Sequence, residues 1–124
     1  MKKDLRMYIL VNQDVEINKG KLAGQVGHAV SSYMYKNHNE KKDLIDEYMN
    51  NDQKKIVLSC PQSTLEKLEK NGYISVRDKG WTDLEPDTLT CVNLGILDYN
   101  NMKKEHKFSK FLKLLKWRNQ KQSN

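Results

Sequence analysis

Apolar runs divide the chain into segments that predict strands alternating with helices. Residues 7–11, MYILV, are uninterrupted apolar positions rich in strand-favouring types, which predicts a strand covered on both faces. Further strands are predicted at residues 55–60 (KIVLSC), 73–77 (YISVR) and 88–96 (TLTCVNLGI). This alternation predicts an α/β sandwich built around a small, mostly parallel sheet.

Helical spacing is clearest directly after the first predicted strand. In residues 21–36, KLAGQVGHAVSSYMYK, one helical face collects the apolar side chains, namely Leu22, Val26, Ala29, Val30 and Tyr33. A shorter helix is predicted at residues 43–49. A capping-box pattern, Ser63-Thr64-Leu65-Glu66, predicts another helix through residues 64–70, which Asn71-Gly72 ends.

The end of the chain combines helical apolar spacing with an excess of positive charge. An amphipathic helix that packs on the sheet is predicted from Phe108, Phe111, Leu112 and Leu115. From Lys103 onward there are eight Lys/Arg residues and one acid, so this segment has a charge of +7. The net charge of the whole chain is +6, so residues 1–102 together carry about −1. Such a segment suits a phosphate-rich partner or an anionic membrane surface, and a solvated tail is the alternative.

Chain length and composition favour one intracellular domain. The 124 residues are enough for a single core, which we expect to span residues 1–116, followed by a basic polar tail at 117–124. No stretch approaches the roughly 20 apolar residues of a membrane span, and no signal-peptide core is present. Cys60 and Cys91 lie in apolar strand-like runs without metal-ligand spacing, so both are predicted to be core thiols.

One edge of the first predicted helix carries polar groups. At 100° per residue, a stripe about 60° wide collects Lys21, Gln25, His28 and Ser32. Lys21 and His28 are then about 10 Å apart along the axis, so a substrate that bridges them must be extended. Gly24 and Gly27 on the neighbouring surface would let a ligand or another backbone approach closely. A solvated stripe beside a helix-packing notch is the alternative.

The start of this helix has the features of an anion site. Free backbone N–H groups and the helix dipole favour negative charge there, and Lys19 and Lys21 add two cations. The sequence KGK is not a P-loop, because GxxxxGK[ST] is missing, so hydrolysis of nucleoside triphosphates has no support. A phosphate of a larger molecule fits better.

A second polar cluster lies between the third and fourth predicted strands. It consists of Asp78, Lys79, Gly80, Trp81 and Thr82, followed by Thr88 and Thr90. Asp78 ends a strand, where ligand clefts of α/β sheets tend to form, although a carboxylate there is as often a turn cap. Thr88 and Thr90 are two positions apart, which predicts that both point to one face of their strand.

Together, these two clusters resemble a known family. KGKLAGQVGHA and RDKGWTDLEPDTLTCVNLGI resemble the two signature blocks of the second, archaeal and eukaryotic, type of peptidyl-tRNA hydrolase. The blocks, the intervening strand and helix, and FLKLL near the end occur in family order, so the resemblance covers roughly residues 6–115. Neither block is specific alone, and their order and spacing carry the match.

The resemblance implies a fold and an activity. The fold would be a three-layer sandwich in which a four-stranded mixed sheet has helices on both faces, commonly as a homodimer. The activity would be hydrolysis of the ester that joins a peptide to the 3′ ribose of tRNA, in the cytoplasm and without a metal or organic cofactor. The partners would therefore be peptidyl-tRNA and tRNA.

Individual positions match the family motifs. The resemblance implies a catalytic set of His28, Asp78, Lys21, Thr82 and Thr90, and we expect substrate contacts from Lys19, Gln25, Lys79 and Trp81. His28 would activate or position water, and Asp78 would orient that imidazole or the water. Lys21 would stabilise the oxyanion or a nearby phosphate. Asp78 as the base, with His28 binding substrate, is the alternative.

Four positions depart from the family pattern. Trp81 replaces the arginine before the loop threonine, Lys79 replaces a small residue, Asp87 replaces the glycine of Pro-Gly-Thr, and Ile96 follows Gly95 where the family has proline. Lys79 would supply a less directional charge than the arginine. Trp81 would either stack on a base of the acceptor end or form a hydrophobic plug against the loop. Trp81 in place of the arginine makes a catalytically silent relative that binds tRNA or protein the main alternative. A pure RNA-binding module is less favoured, because the chain has no RRM or KH signature.

Overall fold

A four-stranded mixed sheet forms the centre of the molecule. The computed structural model describes residues 2–80 and 85–116, with strands β1 (Leu5–Asn12), β2 (Lys54–Cys60), β3 (Ile74–Arg77) and β4 (Leu89–Asp98). Their order is β2-β1-β4-β3; β1 pairs with β2 in parallel, and β4 is antiparallel to both β1 and β3. The mixed sheet implied by the family resemblance is confirmed.

The prediction that the sheet is mostly parallel is wrong, because only one of its three strand pairs is parallel. The connection from β3 to β4, residues 78–88, is shorter than the dozen or more residues that a parallel crossover needs. β4 therefore returns antiparallel beside β3 and enters the sheet between β3 and β1.

Helices cover both faces of the sheet, which confirms the three-layer α/β fold. α1 (Lys19–Asn37) and α2 (Lys42–Met49) pack on one face, and α3 (Gln62–Lys70) packs on the other with a 3₁₀ helix at Lys104–Phe111. A shorter 3₁₀ helix, Tyr99–Asn101, follows β4. None of the helices within the described residues has the length and apolar character needed to cross a membrane.

The core explains why the first strand is apolar throughout. Met7, Ile9 and Val11 of β1 belong to the core layer beneath α1 and α2, whereas Tyr8 and Leu10 belong to the layer beneath α3. All five side chains are buried. A strand in the interior of the sheet with helices above and below needs apolar residues at every position, as its sequence predicted.

α3 begins differently from the capping-box prediction. The helix starts at Gln62, with Pro61 at the N-cap position, so Ser63 lies inside the first turn and its predicted capping role is wrong. The Gln62 N–H instead donates to Oδ2 of Asp14, at 2.8 Å, from the loop after β1. The predicted stop is confirmed, because the helix ends at Lys70 and Gly72 has φ +94°.

The C-terminal segment is not the predicted amphipathic α-helix. Its helical part is 3₁₀ and ends at Phe111, whose side chain is 89% exposed. The chain then runs along the outer edge of β2, where Ser59 N–H donates to the Lys113 carbonyl and Leu115 N–H donates to the Val57 carbonyl, both at 2.9 Å. This extended segment covers part of the edge of β2, and edge coverage competes with helix formation there.

Both cysteines are core thiols, as predicted. Cys60 and Cys91 are fully buried and unpaired. Burial raises the pKa of each thiol to about 11, so both remain protonated at neutral pH.

Candidate active site

The polar residues of the two sequence clusters meet at one end of the sheet. Asp78 directly follows β3, and Thr90 is the second residue of β4, which begins where β3 ends. α1 packs across these two strands. The carboxyl ends of strands in α/β sheets are common places for ligand clefts, and the topology brings Lys21 and Gln25 of α1 to this end.

Lys21 and Asp78 form a nearly buried ion pair. Lys21 Nζ lies 2.5 Å from Asp78 Oδ1, and the two side chains are 9% and 4% exposed. The second carboxylate oxygen of Asp78 accepts the Gly80 N–H at 3.0 Å. Lys21, together with the backbone N–H groups of Gly80 and Lys79, holds the pKa of Asp78 below its usual range despite burial. Asp78 is therefore an anion at neutral pH with both oxygens engaged.

Gln25 and Thr90 form the second contact between α1 and the sheet. Thr90 Oγ1 lies 2.7 Å from Gln25 Oε1 and 3.0 Å from the Val76 carbonyl oxygen. The hydroxyl has one proton, so it can donate to only one of these two oxygens. Both contacts become hydrogen bonds when Thr90 donates to the Val76 carbonyl and the Gln25 amide is rotated by 180°, so that its NH₂ group donates to Thr90 Oγ1. Thr90 lies in a β-bulge, since Val76 pairs with Cys91 and Arg77 pairs with Leu89. The bulge allows Thr90 to face α1.

The loop that carries Asp78 is closed at its neck by two backbone hydrogen bonds. Asp78 N–H donates to the Thr88 carbonyl at 2.8 Å, and Asp87 N–H donates to the Asp78 carbonyl at 2.7 Å. Gly80 has φ +81°, and a Cβ there would lie 2.7 Å from Cγ of Pro86, so this position requires glycine.

Asp87 explains one departure from the family pattern. It stands where the family has glycine, and its φ is +69°, in the left-handed region that glycine enters freely. Aspartate is one of the few side chains found in that region with any frequency. Asp87 therefore adopts, at some cost in backbone strain, a conformation that glycine would adopt freely.

Thr88 does not belong to the strand. β4 begins at Leu89, and Thr88 Oγ1 donates to the Glu85 carbonyl at 2.6 Å in the preceding turn. The prediction that Thr88 and Thr90 share one strand face is therefore wrong. A hydroxyl that bonds to a nearby carbonyl is typical of turns, and this local bond competes with strand pairing.

Gly24 and Gly27 lie on a face of α1 that the rest of the described residues leave open. Within the described residues, a Cβ built at Gly24 or Gly27 would meet no atom of another element within 4 Å, so packing there does not require glycine. His28 lies beside them on the exposed surface of α1. Among the described residues no other element packs into a notch at these glycines, and α1 presents an open surface next to the Lys21–Asp78 pair.

Two more of the predicted site residues, Lys19 and Lys79, lie at this end of the sheet. Lys19 begins α1 and Lys79 follows Asp78, and both are exposed. Trp81 and Thr82 lie outside the described residues. Lys21 was expected to add positive charge to an anion site at the start of α1. Its ammonium instead forms an ion pair with the Asp78 carboxylate.

Asn18 was missed by the sequence reasoning. It is the N-cap of α1, and its Oδ1 accepts the Lys21 N–H at 2.9 Å, which fixes the turn that presents Lys21. An asparagine just before a helical apolar pattern is a standard signal for this role.

Comparisons with known proteins show the family to which the chain belongs. The sequence profile of the family described as "Peptidyl-tRNA hydrolase PTH2" matches residues 5–116. A protein of Thermoplasma volcanium named peptidyl-tRNA hydrolase is 38% identical over 98 residues, covering 73% of this chain and 84% of that relative. The enzyme of the same name from Methanopyrus kandleri is 36% identical over 97 residues, covering 73% and 83%. The chain belongs to the PTH2 family of peptidyl-tRNA hydrolases.

Proposed function

We propose that this protein cleaves peptidyl-tRNA into free peptide and tRNA by attack of water on the ester carbonyl. Family membership supports the reaction, and the observation that carries the site is the nearly buried Lys21–Asp78 pair beside an open helix surface. A fixed ammonium next to accessible space can stabilise the negative charge that develops on a carbonyl oxygen.

In this proposal His28 is the base that activates water. Asp78 is poorly suited to that task, because its lowered pKa makes it a weak base and both of its oxygens already accept hydrogen bonds. His28 is exposed on the same edge of α1, and an imidazole nitrogen can accept a proton from water. Asp78 keeps the Lys21 ammonium in place instead of orienting the imidazole.

Direct attack by water needs no acyl-enzyme intermediate. His28 takes a proton from water as the water oxygen bonds to the ester carbonyl carbon, and Lys21 stabilises the resulting oxyanion. The bond to the 3′ oxygen then breaks, and the imidazolium returns the proton to that oxygen. Gln25, Thr90 and Thr82 complete the proposed set of hydrogen-bonding groups around the ester.

Exposed residues around this site would hold the tRNA. Lys19 and Lys79 would contact phosphates near the acceptor end, and Trp81 would stack on a base or close the loop. Gly24 and Gly27 leave room for the ribose and phosphate to approach the helix backbone. The basic residues from Lys103 onward, with the tail at 117–124, would contact more distant phosphates.

The test of the proposal is turnover by the purified protein. Incubation with peptidyl-tRNA should release free tRNA, and His28→Ala should abolish most of that release while still binding tRNA. For the wild-type protein, kcat should rise with pH, because the neutral imidazole is the proposed base, and His28→Gln should lose that rise. Binding of tRNA without turnover by the wild type would show a silent relative instead, and an unchanged pH profile in His28→Gln would remove His28 as the base.

Three further parts of the proposal rest on the family resemblance. We propose a homodimer, which light scattering over a concentration series tests directly. We place the activity in the cytoplasm, where translation supplies the substrate. We also propose that residues 1–116 form the catalytic domain and residues 117–124 a basic tail, so that a chain ending at residue 116 keeps its fold and turnover.

A further inference from the structure

Arg77 links α3 to the neck of the loop that carries Asp78. It is the last residue of β3 and directly precedes Asp78. Its guanidinium meets the carboxylate of Glu69 in a two-bond fork, with Nε donating to Oε2 at 2.9 Å and Nη2 donating to Oε1 at 2.7 Å. Ser75 Oγ also donates to Glu69 Oε2, at 3.0 Å. Glu69 is thereby fixed by three donors from β3.

The third donor of Arg77 reaches across the neck of the loop. Nη1 donates to the carbonyl of Asp87 at 2.6 Å. Asp87 is the residue with φ +69°, and its own N–H donates to the Asp78 carbonyl. One guanidinium therefore holds the strained turn that is bonded to the backbone of Asp78.

The placement of these groups argues for positioning more than for overall stability. The side chains of Arg77 and Glu69 are 38% and 28% exposed, and partly exposed ion pairs contribute little to the free energy of unfolding. A two-bond fork does restrict orientation, because the planar guanidinium cannot rotate without breaking one bond.

We propose that Arg77, held by Glu69, is a positioning residue that clamps the Asp87 turn and so fixes Asp78 opposite Lys21. The inference rests on the proposed function in giving this clamp a role in turnover. The clamp itself involves only hydrogen bonds at the neck of the loop, so it can be tested without substrate.

Arg77→Lys separates the charge from the geometry. Lysine keeps the positive charge beside Glu69, but its single ammonium cannot span Glu69 and the Asp87 carbonyl as the three guanidinium nitrogens do. We expect amide hydrogen exchange at Asp78 and Asp87 to become about tenfold faster, because both neck hydrogen bonds open more often. We also expect kcat on peptidyl-tRNA to fall about tenfold, with KM changed by less than about twofold. Glu69→Gln should shift the same quantities less, because Arg77 keeps its bond to Asp87.

Arg6→Lys is the matched control. Arg6 donates through Nε and Nη2 to Asp4 at the opposite end of the sheet, so the same substitution there breaks a similar fork away from Asp78. It should leave exchange at Asp78 and Asp87 and kcat unchanged. Unchanged exchange at Asp87 in Arg77→Lys would overturn the clamp, as would equal acceleration in Arg6→Lys. Faster exchange in Arg77→Lys with no turnover by the wild type would support the clamp and overturn the proposed function.

Discussion

The two ends of the sheet each hold a carboxylate with cations, in different surroundings. At the Asp4 end, where β1 begins, Asp4 accepts from Arg6 at 2.7 Å and from Lys54 at 2.8 Å. At the Asp78 end, where β3 ends, Asp78 pairs with Lys21 at 2.5 Å. Both carboxyl groups have pKa values held below the usual range by those cations.

The difference lies in what surrounds the cations. At the Asp4 end, the Arg6 guanidinium stacks 4.0 Å from the centre of the Tyr99 ring, and Lys110 lies 4.4 Å from the same centre. This end is a network that the chain completes from its own strands and helices. At the Asp78 end, the ion pair is more deeply buried, yet the helix beside it presents open glycines and an exposed His28. An ion pair alone is therefore weak evidence for a site; accessible neighbouring chemistry distinguishes the two ends.

Removal of one lysine from each end should give the largest contrast. Lys21→Gln should lower kcat by about 100-fold or more, because an oxyanion-stabilising cation is removed and Asp78 is left nearly buried without its ion-pair partner. Lys54→Gln makes the same chemical change at the Asp4 end and should leave kcat unchanged. Single-turnover rates on peptidyl-tRNA measure both.

The result depends on Lys21→Gln remaining folded. Circular dichroism and a tRNA-binding titration check this before rates are compared. A folded Lys21→Gln protein with the wild-type rate would contradict the assignment of the Asp78 end, and a slow Lys54→Gln protein would contradict the structural role of the Asp4 end.

Basic side chains of the C-terminal segment should change affinity instead of rate. Replacing Lys103, Lys104 and Lys107 together by glutamine should weaken tRNA binding several-fold. The salt dependence of log K should become shallower by about 0.7 to 0.9 for each tRNA phosphate that the variant no longer neutralises. A matched triple variant at exposed lysines elsewhere, Lys42, Lys55 and Lys67, should retain the wild-type salt slope. Equal slopes in the two triple variants would make the C-terminal segment a solvated surface.

Both ends should contribute to acid sensitivity, although we expect only the Asp78 end to contribute to turnover. A carboxyl group with a lowered pKa in the folded state stabilises the fold above its unfolded value of about 4, and this contribution is lost as the pH falls through the folded pKa. Asp4→Asn and Asp78→Asn should each lower stability at neutral pH and each reduce its further loss below about pH 4. Urea midpoints measured over this pH range test the sign, and a variant with the wild-type acid slope would show that its carboxyl is not shifted.

The sequence predicted the existence of β1 and α1 correctly, but it did not predict the start of α3 or the conformation of the C-terminal segment. β1 and α1 could be recognised because a strand covered on both faces and a one-sided helix leave periodic apolar patterns, as in Met7–Val11 and Leu22–Tyr33. The start of α3 was mispredicted because the carboxylate that accepts the Gln62 N–H belongs to Asp14, in a loop distant in sequence, and leaves no local pattern. The C-terminal helix was mispredicted because a free strand edge, which only the assembled sheet provides, recruits residues 113–115.

The site shows the same division. Lys21, Gln25 and Asp78 could be proposed from residue type, spacing and the family motifs. The pairing of Lys21 with Asp78 and the bulge at Thr90 depend on how β4 enters the sheet, which the sequence did not predict. The link from Glu69 through Arg77 to Asp87 leaves no local signal, because its three residues lie on different elements and are charged types common on any surface.

Backbone strain offers the smallest and most specific comparison, because among residues 2–80 and 85–116 each end of the sheet has one non-glycine residue with positive φ. Asp87 (φ +69°) lies at the Asp78 end, and Gln53 (φ +52°) precedes β2 at the Asp4 end. Asp87→Gly and Gln53→Gly should each change the free energy of unfolding by no more than about 1 kcal/mol, because relief of strain is partly offset by the greater freedom of glycine in the unfolded chain. Only Asp87→Gly should alter kcat, since its turn is bonded to Asp78 whereas Gln53 contacts Met49 in α2. Urea unfolding and steady-state kinetics on the two variants separate these effects; a change of kcat in Gln53→Gly equal to that in Asp87→Gly would mean that turnover responds to overall rigidity and not to the Asp78 loop.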